Sequence, residues 1–226
     1  WKNRAMPPTS SSSGNADPRA ALVAVMQKLE ADGLNRAAAG NASVRTERGF
    51  LVTPTGVVPS DLAPEQMVEM TLAGDALNAD WRPSSEWRFH RDIYASRADV
   101  GAVVHMHSTY ATAQACTREG IPPFHYMIAA GGGADIRCAP YATFGTQALS
   151  DAAIAALLDR RACLLANHGL IAVGPTLARA LRTAVEVEEL ARQYLIASQT
   201  GRLRLLSDAE IADALRMFEG YGQQTR

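Results

Sequence analysis

Ala102-Val103-Val104-His105-Met106-His107-Ser108 is an apolar run broken by two imidazoles two positions apart. A short run of this kind reads as a buried strand, and alternate residues of a strand point to one face, so His105 and His107 project together. A second apolar run, Cys163-Leu164-Leu165-Ala166-Asn167, is followed by His168-Gly169 and reads as another buried strand with His168 at its end. If the two strands are neighbours, three imidazoles converge. Three neutral nitrogen donors with a fourth position open are the pattern of a catalytic rather than a structural zinc site. On strand parity alone, a hydrogen-bonded buried pair fits as well as a metal pair, because either arrangement must satisfy both nitrogens of each ring.

Outward from these strands the chain alternates helices and strands. Asp17-Pro18 is a helix start, Leu22, Val25, Met26 and Leu29 recur at helical spacing, and Gly33 stops the pattern. Residues 42–45 and 50–53 flank Glu47-Arg48-Gly49 as a hairpin, and Thr53-Pro54-Thr55-Gly56 closes it in a tight turn. The spacing predicts a strand over 68–72, then a helix from Ser84-Ser85 carrying Trp87, Phe89, Ile93 and Tyr94. A helix entered at Ser108, a break at Gly131-Gly132-Gly133, a strand over 136–139 and a helix over 152–158 capped by Ser150 follow. Strands near Leu164 and Ile171, a long helix over 177–197, and a Ser207-Asp208-Ala209-Glu210 capping box before Ile211, Leu215 and Phe218 complete the pattern. The expected class is α/β, a helix-covered mixed sheet. No internal repeat or dinucleotide-type glycine fingerprint occurs.

At 226 residues the chain can build one substantial core, and residues 17–226 are expected to form a single domain. Residues 1–16, with Pro7-Pro8 and Ser10 to Ser13, lack apolar periodicity and read as a disordered extension or an appended remnant. With 22 basic against 23 acidic residues, the net charge of -1 argues against a nucleic-acid or acidic-membrane partner. Cys116, Cys138 and Cys163 make an odd set without Cys-x-x-Cys spacing, which points to a reducing cytoplasm rather than a disulfide framework. No run of 18 apolar residues suggests a membrane span.

Four segments in this order, Gly40-Asn41-Ala42-Ser43-Val44-Arg45, Thr53-Pro54-Thr55-Gly56, Pro83-Ser84-Ser85-Glu86, and the His105-Met106-His107 strand followed by Asn167-His168-Gly169, resemble the class II aldolase/adducin family. The likeness runs from about residue 18 to the carboxyl end. The stretches 85–90, 124–130 and 138–146 most resemble members that cleave a ketose 1-phosphate of the fuculose type. The resemblance implies a three-layer α/β/α sandwich with a central mixed, largely antiparallel sheet. It also implies a ring-like homotetramer with active sites between subunits, and a sugar-phosphate substrate cleaved to dihydroxyacetone phosphate and a short aldehyde. By the same resemblance His105, His107 and His168 hold Zn2+ or another divalent ion, one per subunit, and Glu86 is the acid/base that also touches the resting metal. Gly40, Asn41, Thr55, Gly56, Ser84 and Ser85 match phosphate positions. Tyr126 and Tyr221 match catalytic positions on the aldehyde side, Tyr221 reaching a neighbouring subunit, and Phe144 shapes that side.

The chemistry accounts for these residue types. Breaking a C3–C4 bond leaves negative charge that a divalent ion stabilises, while a carboxylate moves the protons. Small residues and hydroxyls at turns and a helix start supply phosphate donors without a lysine. Glu86 in a first helical turn should be held ionised by the free amides there, whereas a base poised near neutrality usually has a raised pKa. His90 and His125 read as structural, with His90 one turn beyond Glu86 on the same helix face. Two other readings are a pentulose-phosphate 4-epimerase or related lyase, in which aspartate tends to stand where this chain has Glu86, and a non-catalytic adducin-like domain, which would lack the three histidines.

Overall fold

The computed structural model describes residues 17–78 and 80–219. The expectations for residues 1–16 and for Tyr221 lie outside the described residues. Asp17 accepts a hydrogen bond from the Arg19 backbone N–H at 3.0 Å and Pro18 occupies the first turn, so α1 spans Pro18–Ala31. Its buried stripe is Leu22, Met26 and Leu29. β1 (Asn41–Thr46) and β2 (Gly49–Val52) form the expected hairpin. Then follow β3 (Val68–Met70), α2 (Trp87–Ser96), β4 (Ala102–Met106), α3 (Thr109–Ala115) and β5 (Arg137–Ala139). The chain continues through α4 (Gln147–Ala156), β6 (Ala162–Leu165), β7 (Gly169–Gly174), α5 (Leu177–Ser198) and α6 (Asp208–Glu219).

The strands form one seven-stranded sheet in the order β3-β2-β1-β4-β7-β6-β5, antiparallel throughout except for the β5–β6 pair. Strand parity divides its side chains between two cores. Ala102, Val104 and Met106 of β4 pack with α1, α3 and α5, while Val103 packs with Phe89, Ile93 and Tyr94 of α2 and Leu149 and Ala153 of α4. The architecture is the α/β/α sandwich with a mixed, largely antiparallel sheet. Among the described residues no helix is long and apolar enough to cross a membrane.

Several boundaries differ from the sequence-based expectation for local reasons. β3 stops at Met70 rather than 72, because Thr71 leaves the ladder to take a backbone bond from its own N–H to Asp75. α4 starts a turn earlier than expected, at Gln147. Thr146 is its cap, its Oγ1 accepting from the Leu149 N–H, while Ser150 is buried inside the helix and donates to Asp92 Oδ2 at 2.6 Å. β4 ends at Met106 because the His107 N–H turns away to Asn35 Oδ1 at 2.9 Å.

Ser108 occupies the cap position of α3, but its hydroxyl does not cap it. Glu188, buried on α5, accepts from Ser108 Oγ at 2.6 Å, Tyr110 N at 2.9 Å and Ala111 N at 2.8 Å. A carboxylate from a distant helix thus satisfies the first-turn amides of α3 and fixes the segment leaving His107. Glu188→Ala would strand two buried donors and one part-buried donor and should destabilise the fold by about 3 kcal/mol, whereas removing an exposed partner costs under about 0.5 kcal/mol. Thermal unfolding of Glu188→Ala beside Glu189→Ala, whose partners Arg192 and Gln193 are surface groups, checks this. Equal melting temperatures for the two variants would contradict it.

Candidate metal centre and cleft

Register brings the histidines together. In the ladder, His105 faces Asn41 of β1 on one side and Ile171 of β7 on the other, so it sits at the centre of the sheet and is fully buried. His107 lies one residue past the end of β4, and His168 lies in the turn between β6 and β7. Gly169 pairs with this end of the sheet, and a Cβ there would come within 2.5 Å of the Met106 carbonyl oxygen, so only glycine lets the turn carrying His168 approach. Gly40 answers the same demand on the other side. Its φ is +71°, and a Cβ would meet the His105 carbonyl oxygen at 2.7 Å.

The three rings stand nearly edge-to-face, with centroids 4.7–4.9 Å apart. His105 Nδ1 lies 2.8 Å from the Leu170 carbonyl oxygen, to which it must donate, so Nε2 is the nitrogen turned inward. His105 Nε2 lies 3.0 Å from His107 Nε2 and 3.2 Å from Glu86 Oε2, and His168 Nε2 lies 3.3 Å from Glu86 Oε1. Glu86 is the cap residue of α2 rather than a first-turn residue, and its side chain makes no cap bond. The physical tension expected for a helix-start carboxylate is resolved differently, because Glu86 turns away from the helix amides and into the imidazole cluster.

Electrostatics in this cluster come from burial and proximity. Burial alone would raise the Glu86 pKa, but the charge and hydrogen bond of His105, the charge of His168 and the Asn41 amide outweigh it and hold the carboxyl well below its ordinary range. Burial would lower His105, yet its pairing with Glu86 leaves it raised above 6.5. His107 falls to about 3 and His168 to about 4, through burial first and then the neighbouring His105 charge. His105 is therefore the ring that holds a proton against ionised Glu86, and burial together with that charge disfavours protonation of the other two.

Glu86 Oε1 is buried with no hydrogen-bond partner among the described residues, at the centre of this nitrogen-rich cluster. An orphaned anionic oxygen beside three inward nitrogens is a costly arrangement unless a cation completes it. Four ligands at about 2.0–2.1 Å from one tetrahedral ion lie roughly 3.3–3.4 Å apart, close to the 3.0–3.3 Å separations of neighbouring ligand atoms here. All four ligand atoms lie within 4.8 Å of one another. The donor set fits a divalent metal ion.

Above this floor is a cleft of about 320 Å³. Gly40, Asn41, Thr55, Gly56, Ser84 and Ser85, the expected phosphate positions, all line it. His107, His168, Glu86 and Phe144 line it too, with His105 beneath. Gly145 anchors the Phe144 loop, its carbonyl accepting from Arg88 Nη1 at 2.8 Å. Tyr126 is not brought to the cleft of its own chain. It is exposed, with its ring 4.8 Å from His125 and 6.5 Å from Phe218.

Sequence reasoning missed Tyr141 and gave Asn167 no role, although both line the cleft. Asn167 has a left-handed φ of +56°, and its Oδ1 accepts from Arg118 Nε at 2.8 Å. The Asn-His-Gly turn was a usable signal for Asn167, because asparagine tolerates that conformation. Tyr141 carried none, since an exposed aromatic in a loop looks like any other.

The family model for the class II aldolase and adducin N-terminal domain matches residues 20–195. The chain is 47% identical over 212 residues to the 5-methylthioribulose-1-phosphate/5-deoxyribulose-1-phosphate aldolase of Rhodospirillum rubrum, covering 92% of this chain and 94% of that one. It is 48% identical over 192 residues to the L-fuculose phosphate aldolase of Escherichia coli, covering 84% and 88% respectively. A solved structure of an L-fuculose 1-phosphate aldolase superposes with a TM-score of 0.87 at 37% identity, covering 90% of this chain and 97% of the other.

The pH dependence of ion binding follows from the proton on His105. Binding a cation displaces the proton of His105, whose raised pKa lies above 6.5, while His168 and His107 do not protonate until about pH 4 and 3. Between about pH 4.5 and 6.5 the dissociation constant of a divalent ion should therefore fall about tenfold per unit rise in pH, one proton leaving per ion. Calorimetric titration of metal-free protein across that window measures the slope. A slope of two or three would mean that the rings titrate independently.

Proposed function

The chain belongs to the class II aldolase and adducin family, and from that premise we propose that it cleaves a ketose 1-phosphate between C3 and C4. The products are dihydroxyacetone phosphate and a short aldehyde with an apolar end. The observation that carries this reading is the orphaned Glu86 Oε1, buried among three imidazoles at the floor of a cleft rimmed by hydroxyls and backbone amides.

His105, His107 and His168 would hold one zinc ion per chain, with Glu86 joining them only in the resting site, and the ion would supply Lewis-acid stabilisation of the negative charge that bond cleavage leaves on the substrate. Glu86 takes the proton of the C4 hydroxyl at Oε1 as the C4–O bond becomes a carbonyl and the C3–C4 pair moves to C3. The same oxygen then returns that proton to C3. Asn41 Nδ2 donates to Glu86 Oε2 at 3.0 Å and His105 Nε2 is 3.2 Å from it, while Oε1, 3.3 Å from His168 Nε2 but with no hydrogen bond, is the oxygen that serves the substrate. The phosphate sits against the Thr55-Gly56 turn, the Ser84 and Ser85 hydroxyls and the Gly40-Asn41 backbone, where small residues let amides approach its oxygens.

Tyr141 and Phe144 give the outer wall an aromatic character, and no acidic or basic side chain other than Glu86 and the two histidines lines the cleft among the described residues. Such a wall favours a substrate whose far end is a methyl or thioether over one ending in a second charged group. The names of the fuculose-phosphate and deoxyribulose-phosphate relatives agree with an apolar terminus of this kind. Tyr126, exposed and outside its own cleft, completes the aldehyde side of a neighbouring subunit's site in a homotetramer.

The test is a zinc-loaded enzyme assayed against fuculose, ribulose, 5-deoxyribulose and 5-methylthioribulose 1-phosphates for triose phosphate release, and against pentulose 5-phosphates for inversion at C4. Release from the 1-phosphates, abolished by a chelator and restored by zinc, is expected. Inversion without cleavage would replace this reading with the epimerase. Glu86→Gln should cut turnover about a hundredfold or more, the scale of acid/base catalysis. Undiminished turnover in that variant would remove Glu86 from the proton transfers.

A further inference from the structure

His90 is completely buried, lies against neither solvent nor the ion site, and takes no part in the reaction described above. Burial, followed by the charge of His105, lowers its pKa to about 3, so the ring is neutral and has one donor and one acceptor nitrogen. Which is which follows from its neighbours. Asn41 bridges Glu86 and His90, with Nδ2 3.0 Å from Glu86 Oε2 and Oδ1 2.6 Å from His90 Nε2. An ionised carboxylate only accepts, so Asn41 must present its amide N–H to Glu86 and its oxygen to His90.

The polarity then propagates without a free choice. His90 Nε2 must donate to Asn41 Oδ1, so Nδ1 must accept. Its neighbour at 2.7 Å is Ser43 Oγ, which therefore donates. Ser43 Oγ in turn needs a donor and has the Tyr94 hydroxyl at 2.7 Å. Ser43 has a single O–H and gives it to His90, so in this pair the Tyr94 hydroxyl is the donor. From Tyr94 through Ser43, His90 and Asn41 to Glu86, every donor points toward the carboxylate.

We propose that Tyr94, Ser43 and His90 are positioning residues that lock the direction of the Asn41 amide, and through it assign the two oxygens of Glu86 different tasks. Oε2 is held as a fixed acceptor and Oε1 is left to exchange protons with substrate. A reversed Asn41 would set its carbonyl against the carboxylate, and the one-way ladder forbids that reversal because His90 Nδ1 already has its donor. Hydrogen bonds running in one direction also polarise one another, so loss of an inner rung acts on Glu86 across a distance. The catalytic consequence rests on the aldolase reading, whereas the polarity of the ladder does not.

The experiment has two arms. In the zinc-loaded protein with labelled histidine, nitrogen NMR should find His90 protonated at Nε2 and bare at Nδ1. The opposite tautomer would overturn the proposal, and this measurement needs no substrate and no variant. In the second arm, Ser43→Ala should lower kcat about tenfold or more with KM within about twofold and zinc content unchanged, the scale on which supporting shells act. Tyr94→Phe should cost less, since Ser43 can still donate to His90. Wild-type kcat in Ser43→Ala, or a larger loss in Tyr94→Phe than in Ser43→Ala, would overturn it. A wild-type enzyme that cleaves none of the ketose phosphates yet carries the Nε2–H tautomer would sink the activity and support the ladder.

Discussion

A carboxylate almost wholly withdrawn from water is the constraint on which this site depends. Glu86 is 6% exposed and lies against three imidazoles, so its charge must be answered from within the protein. Each answer comes from a different part of the fold. The centre of the sheet supplies His105, the end of β4 supplies His107, the β6–β7 turn supplies His168, and β1 supplies Asn41. The cap position of α2 delivers the carboxylate itself. These elements meet only because β4 lies between β1 and β7, and because Gly40 and Gly169 allow backbones to come within contact where any side chain would intrude.

The same constraint sets the order of events in the charge of the cluster. The proton on His105, together with burial, disfavours protonation of the other two rings, so a cation meets two neutral nitrogens and displaces one proton. The hydroxyl and amide rim above adds no further cation. Phosphate capture and charge stabilisation are therefore separated in space, the first at turns and a helix entrance, the second at the sheet.

What the sequence made legible was whatever had a period or a local cap. The parity of His105 and His107, the Asp17-Pro18 start of α1, the hairpin and the Ser207–Glu210 capping box are all local patterns, and each is found in the structure. Competition between like residues was not legible. Thr146 and Ser150 are both able caps, and only the half-buried Asp92 of α2 explains why the second is drawn inside α4. Ser108 resembles a cap, but a carboxylate 80 positions away takes that task. Tyr126 and Tyr141 are both exposed aromatics, and only tertiary placement puts Tyr141 at the cleft and Tyr126 outside it. His90 read as structural because its partners come from a strand more than forty residues earlier.

The ladder between β1 and α2 works like a vernier. Glu86, His90 and Tyr94 recur every four residues on a helix, a step of about 6.0 Å, while Asn41, Ser43 and Arg45 recur every two residues on a strand, a step of about 6.8 Å. The two scales coincide over a few rungs and then drift apart by about 0.8 Å per rung. Short side chains can bridge the first rungs, but beyond them only a long reach will serve. Arg45 has that reach, and it spans to the carbonyl oxygens of Tyr94, Arg97 and Val100 at 2.8 Å each. The mismatch of two regular lattices thus limits how long such a polar seam can be, and in this molecule it runs out one rung, two strand residues, after Ser43.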